Sequence, residues 1–218
     1  MDFDNNERFT AGEEIANSVI HGIGALFSIA ALAVLTVSSA QHGSAWHIVS
    51  FVIFGSSMVL LYTFSAVYHG LTNRRAKEVF EFLDHAGVFL LIAGTYTPFA
   101  LVVLHGRVGW TIFGVIWGLF AAGIIYKAFF LKKAVIFSTL LYVCMGWVIV
   151  LAFKPLLQSL AGQGVFWLVL GGVLYTAGTV FYVRRRMRYH HALWHLFVLA
   201  GTGCHFICVL FYVLPIRV

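Results

Sequence analysis

The chain has 218 residues, of which 61% are apolar and only 10% charged, and its mean hydropathy is +0.92. A soluble domain carries about a quarter charged residues, so this composition excludes one and requires a polytopic membrane protein. The net charge of +6 is then assigned to loops facing anionic lipid, which excludes nucleic acid as a partner.

A hydrocarbon core about 30 Å thick takes roughly 20 apolar residues per helix. Seven stretches near that length occur: Ile15 to Ser38, Trp46 to Tyr68, His85 to Leu104, Gly109 to Tyr126, Ala134 to Phe153, Gly164 to Val183 and His191 to Leu214. They are continuously apolar and do not alternate, so the fold expected is an all-α bundle of seven transmembrane helices and not a barrel. Residues 1–14 form a short segment ahead of it, and residues 15–218 a single membrane domain.

Ahead of span 1 stand Asp2, Asp4, Glu7, Glu13 and Glu14 against a single Arg8. This is the wrong charge for a secretory leader, and no cleaved signal peptide is expected. Orientation follows from Lys and Arg in short loops. Arg8, Arg74, Arg75, Lys77, Lys127, Lys132, Lys133, Arg184, Arg185, Arg186 and Arg188 fall on one side, and only Arg107, Lys154 and Arg217 on the other. The N-terminus is therefore expected in the cytoplasm and the C-terminus outside, in the plasma membrane, the inner membrane of a bacterium. Trp46, Trp110 and Trp167 open spans 2, 4 and 6 on the outer side, as an interfacial aromatic belt would. Cysteines introduced at Arg75 and Arg186 should be labelled only from inside intact cells, and those at Gly43 and Gly162 from outside. Outside labelling at position 186 alone would show that span 6 or 7 is drawn wrongly.

Within the spans, Cys144, Cys204 and Cys208 read as small packing residues. Gly114 and Gly118 form a GxxxG pair suited to close helix contact. Pro98, after Gly94-Thr95-Tyr96-Thr97, is expected to kink span 3, with a threonine hydroxyl meeting the freed carbonyl. No loop is long enough for an extramembrane catalytic domain, so any chemistry lies between helices.

All eight acidic residues lie at or before Asp84. Asp84 stands at the entrance of span 3, where a helix N-terminus favours an anion or takes an N-cap. Of the ten histidines, His42, His47 and His105 lie in or beside outer loops and are expected to be solvated. His69, His85, His190, His191 and His195 cluster at the opposite face. An ionisable group at membrane depth costs a few kcal/mol unless something binds it. His191 and His195 project from one helical face, as do Ser65 and His69. Three imidazoles from two helices at one depth offer a metal three nitrogens and leave a position open, the pattern of catalytic zinc. His205 lies ten residues beyond His195, about 15 Å along the helix. That is too deep for the same metal, so it is read as an interhelical hydrogen bond.

These residues resemble a family. Glu13-Glu14-Ile15-Ala16-Asn17-Ser18 with His21, Ser65-Ala66-Val67-Tyr68-His69, Leu83-Asp84-His85 with Leu90 to Phe99, and His191-Ala192-Leu193-Trp194-His195 with His205-Phe206 occur in order, each on its expected span. Together they are similar to the haemolysin III branch of the progestin and adiponectin receptor (PAQR) family, within a wider group of seven-span metal-dependent hydrolases. The resemblance implies zinc held by His69, His191 and His195, with Asp84 near the metal through water and Ser65 beside it. Glu14, Asn17, His21 and His205 are further polar positions that either support the ligands or fasten helices. It also implies a cytoplasmic N-terminus and a membrane lipid as substrate or ligand. Related receptors are linked to ceramide amide hydrolysis, bacterial members to membrane lipid homeostasis, and the family name to red-cell lysis. A zinc-dependent lipid amide hydrolase and a zinc-stapled membrane sensor without catalysis both fit these residues. A pore-forming toxin stands third.

Overall fold

The computed structural model describes residues 9–130, 135–184 and 186–218. Asp2, Asp4, Glu7, Arg8, Lys132, Lys133, Ala134 and Arg185, used above for charge or span limits, lie outside the described residues. Among the described residues there are seven helices long and apolar enough to cross a membrane, and no strand. They are α1 (Ala11–His42), α2 (Ala45–Gly70), α3 (Arg74–Leu104), α4 (Gly106–Phe130), α5 (Val135–Ser159), α6 (Gly162–Val183) and α7 (His190–Val213). This is the expected all-α integral membrane bundle. Leu26, Phe27, Phe129 and Leu151 are among many large apolar side chains turned outward. Lipid supplies the apolar surroundings that such a surface needs.

α3 is the central helix, with 78% of its apolar window buried against 22% for each of α1, α4 and α6. α2 packs between α1 and α3, α6 packs along α7, and α1 also meets α7. Small residues let these backbones approach: a Cβ on Gly55 would run into Leu32 of α1, and one on Gly94 into the Ser57 side chain of α2. The GxxxG pair of span 4 does not take part, because nothing lies within 4 Å of a Cβ built on Gly114 or Gly118. Spacing alone gives the pair a common face without saying which face of α4 meets protein.

α3 begins well before the apolar stretch that marks it in the sequence. Asn73 caps it by accepting the Ala76 N–H at 3.1 Å, and Arg74 to Asp84 are already helical. Asp84 is therefore neither an N-cap nor at a helix N-terminus; it lies buried in the third turn of α3. Hydropathy marks where lipid begins, whereas a cap marks where the helix begins. Past Pro98 the helix loosens into a π-helical segment, Phe99–Leu104, as expected where an N–H is missing. The Thr97 hydroxyl donates to the Ala93 carbonyl at 2.9 Å, one residue short of the Gly94 carbonyl that proline leaves without its helical donor.

Two charged or polar positions depart from expectation. His47 is 2% exposed, not solvated, because it falls in the first turn of α2 and its Nδ1 accepts the Ser44 N–H at 3.1 Å. Lys127 belongs to α4 and is 2% exposed, with its ammonium 5.9 Å from the centre of the Tyr142 ring and in electrostatic reach of Glu81 and Asp84. It is an interior cation, not a loop charge. His42 and His105 are exposed as expected, and of the cysteines Cys204 and Cys208 are buried while Cys144 faces outward. Trp46 and Trp110 lie together at the other end of the bundle, with ring centres 6.0 Å apart.

Candidate metal centre

The site is built at the end of the bundle where α1 begins, α2 turns into α3 and α6 turns into α7. His69 occupies the last turn of α2, and His191 and His195 the first turns of α7. One ring nitrogen from each of the three lies within 4.8 Å of the others, a spacing able to hold a metal ion. Four residues between His191 and His195 are about one helical turn, which is why both rings reach the same point.

The partners of His69 fix its proton. Nδ1 is 2.6 Å from Glu14 Oε2, so it donates to that carboxylate and leaves a lone pair on Nε2. That Nε2 faces His195 Nε2 at 3.2 Å. His195 Nδ1 and His191 Nε2 are buried without a hydrogen-bond partner. Buried polar atoms left unmet cost about 1–3 kcal/mol each. A cation between the three rings satisfies the lone pairs that converge there, the Nε2 atoms of His69 and His195 among them, while His195 Nδ1, on the other side of its ring, stays free to carry the proton. A carboxylate on the far nitrogen of an imidazole is also the usual outer support of a metal-binding histidine, orienting the ring and raising its basicity. The donor set thus fits a metal that favours imidazole.

Glu14 is itself held by Lys77, whose ammonium donates to Oε1 at 2.7 Å. Lys77, Glu14 and His69 form one chain across α3, α1 and α2. Asn17, one turn beyond Glu14 on α1, brings its Nδ2 to 3.4 Å from His69 Nδ1. The start of α1 is tied to α7 by Glu13, which accepts the Thr10 N–H at 2.9 Å and the Tyr189 N–H at 3.0 Å. Tyr189 adopts a left-handed conformation, φ +58°, costly for a residue with a side chain, at the position that aims His190 and His191 inward. This staple lays the Phe9 ring across the site, 4.9 Å from His191 and 5.8 Å from His69 between ring centres.

A cavity of about 1550 Å³ runs from this end into the bundle, lined by the three histidines, Glu14, His21 and Asp84 and reaching His205. The meeting of Gly87 with Leu61 fixes the register of α3 on α2 and brings Asp84 level with Ser65, about one turn deeper than His69. Ser65 is fully buried and its hydroxyl has no hydrogen-bond partner. His21 packs on His195 with ring centres 3.6 Å apart. His205 stands away from the cluster and bonds α6 through Nε2, 3.1 Å from the Leu168 carbonyl, as expected. His85 and His190 are engaged with backbone carbonyls, Glu81 at 2.7 Å and Phe181 at 3.1 Å, and do not join the three.

Sequence reading missed Phe9 and Lys77. Neither carries a metal-ligand signature, and their roles come from a staple and an ion pair that link residues 63 to 176 positions apart.

Comparison with known proteins identifies the family. A family model described as haemolysin-III related matches residues 9–206. The chain is 50% identical over 204 residues to the hemolysin-3 homolog of Bacillus subtilis (strain 168), covering 94% of this chain and 96% of that protein. It is 48% identical to hemolysin-3 of Bacillus cereus, over 93% of each chain. To the human monocyte to macrophage differentiation factor it is 24% identical over 206 residues, covering 92% of this chain and 84% of that one. With the family model spanning all but the two ends, and half of all residues shared along nearly the whole length of a relative, the chain belongs to the haemolysin-III-related family.

Proposed function

We propose that the protein is a zinc-dependent hydrolase of membrane lipids, its metal held by His69, His191 and His195 near the cytoplasmic face and its substrate a lipid amide. The observation that carries this reading is the convergence of three imidazoles, one backed by a carboxylate, on the wall of a cavity that also holds a buried aspartate. Three neutral imidazoles suit zinc better than magnesium or calcium. Zinc in an open three-histidine site supplies Lewis acidity towards a carbonyl and lets water ionise near neutrality.

The chain's own residues supply the rest. Asp84, buried on the cavity wall, takes a proton from the attacking water. Ser65, level with it and just behind the cavity lining, offers the oxygen that gains charge a hydroxyl with no other partner. Glu14 and Lys77 hold the His69 ring in its metal-facing tautomer. Phe9 covers the end of the site and keeps bulk water from the histidines. The cavity is large enough for part of an acyl chain beside the polar head that would react. A sensor in which zinc only staples α2 to α7 is the competing reading. An interior cavity that the three histidines share with a buried aspartate favours catalysis, because a staple needs neither.

Purified protein incubated with a panel of amide and ester lipids tests the proposal. Release of fatty acid that chelation stops and zinc restores is expected; metal-replete protein inert on every lipid of the panel would exclude the hydrolase. Glu14→Gln is expected to weaken zinc binding by roughly 10- to 100-fold, as loss of an outer carboxylate does, measured by competition with a chromophoric chelator. Unchanged affinity would remove Glu14 from the metal centre.

A further inference from the structure

We propose that His21 is the group that holds, by hydrogen bond, whatever fills the position that His69, His191 and His195 leave open. This rests on the metal reading above and adds a residue to it. His21 is 2% exposed, and its ring packs against His195 at 3.6 Å between centres and edge-on against Tyr62 at 5.0 Å. A neutral imidazole carries one N–H and one lone pair. Both ring nitrogens of His21 are buried and neither makes a hydrogen bond of full geometry, the His195 backbone carbonyl lying in weak reach of one of them, so at least one ring nitrogen is left unassigned. Tyr62 cannot serve them, since its hydroxyl donates to Thr202 at 2.7 Å and it meets His21 only through its ring.

The helix that carries His21 already serves this site. Asn17 stands one turn earlier on α1 and reaches His69 at 3.4 Å, so residues 17 and 21 present one face to the cluster. His21 is not within the group whose ligand atoms all lie within 4.8 Å of one another. It stands against His195, one of the three ligands, instead of completing them as a fourth. A buried N–H in that place meets the oxygen or nitrogen of a molecule bound at the open position, and fixes which way it points.

Cobalt(II) in place of zinc, with azide as the probe of the open position, tests this on the full chain in detergent. Wild type is expected to bind one cobalt and to give an azide charge-transfer band. His21→Phe, which keeps an aromatic ring but has no donor, should bind cobalt as well and azide at least tenfold more weakly; His21→Asn, which keeps an N–H, should recover part of the affinity. Equal azide affinity in wild type and His21→Phe would overturn the proposal, as would failure of azide to bind wild type. Loss of cobalt in both variants would overturn it in favour of a fourth ligand and a closed site. A cobalt spectrum indifferent to His191→Ala would instead bring down the metal reading itself, and His21 with it.

Discussion

Replacing His191 and His195 together by alanine is expected to take bound zinc from about one ion per chain to none, because a single imidazole cannot hold the ion against water. The two rings come from successive turns of α7 and supply two of the three nitrogens that lie within 4.8 Å of one another. His69, left alone, keeps its bond to Glu14, so the variant retains a tether between α1 and α2. Most of the helix packing is remote from the site: α2 and α3 meet through Leu61, Gly87, Ser57 and Gly94. The variant should therefore insert and fold while losing metal. Metal analysis of purified protein, with circular dichroism as the control for folding, is the measurement. Full occupancy in the double variant would move the metal elsewhere in the chain.

Asp84→Asn and Ser65→Ala are each expected to lower lipid hydrolysis by on the order of 10²-fold or more while zinc stays bound. Asparagine keeps the shape of the aspartate but cannot take a proton. Asp84 is buried on the cavity wall, and Glu14, also on that wall, is already engaged by His69 and Lys77. Ser65 shares a face of α2 with His69, and its hydroxyl is buried with no partner, so removing it breaks no bond within the protein. In a zinc-stapled sensor the same changes would touch only groups outside the coordination shell and weaken metal binding, by roughly 10- to 100-fold. Assays at saturating zinc separate the two readings. Variants that then keep the wild-type effect on membrane lipid composition would rule out hydrolysis as the function.

The sequence alone determined the medium, the number of helices and the three histidines. Continuous apolar runs have one stable solution in lipid, a helix that satisfies its own backbone, so composition settles the class without knowledge of packing. The histidines were legible for a related reason: an ionisable group at membrane depth is expensive, and the i, i+4 spacing of His191 and His195 sets two of them on one face. Helix limits were less legible, as α3 shows. Its first turns, from Arg74 to Asp84, are polar, and only the Asn73 cap reveals that they are helical and that Asp84 lies within the helix.

What the tertiary structure alone decided is which face of each helix meets which neighbour. Periodicity gives a face but not its partner. So Gly114 and Gly118 read as a contact yet meet none of the described residues, while Gly94 closes on Ser57. Lys127 reads as a loop charge yet turns inward over Tyr142, and His47 reads as solvated yet caps its own helix. The links from Glu14 to His69, from Glu13 to Tyr189 and from His21 to His195 cross 55, 176 and 174 positions of sequence. Contacts of that range form only once the helices have docked, and they are what bring three separate histidines together.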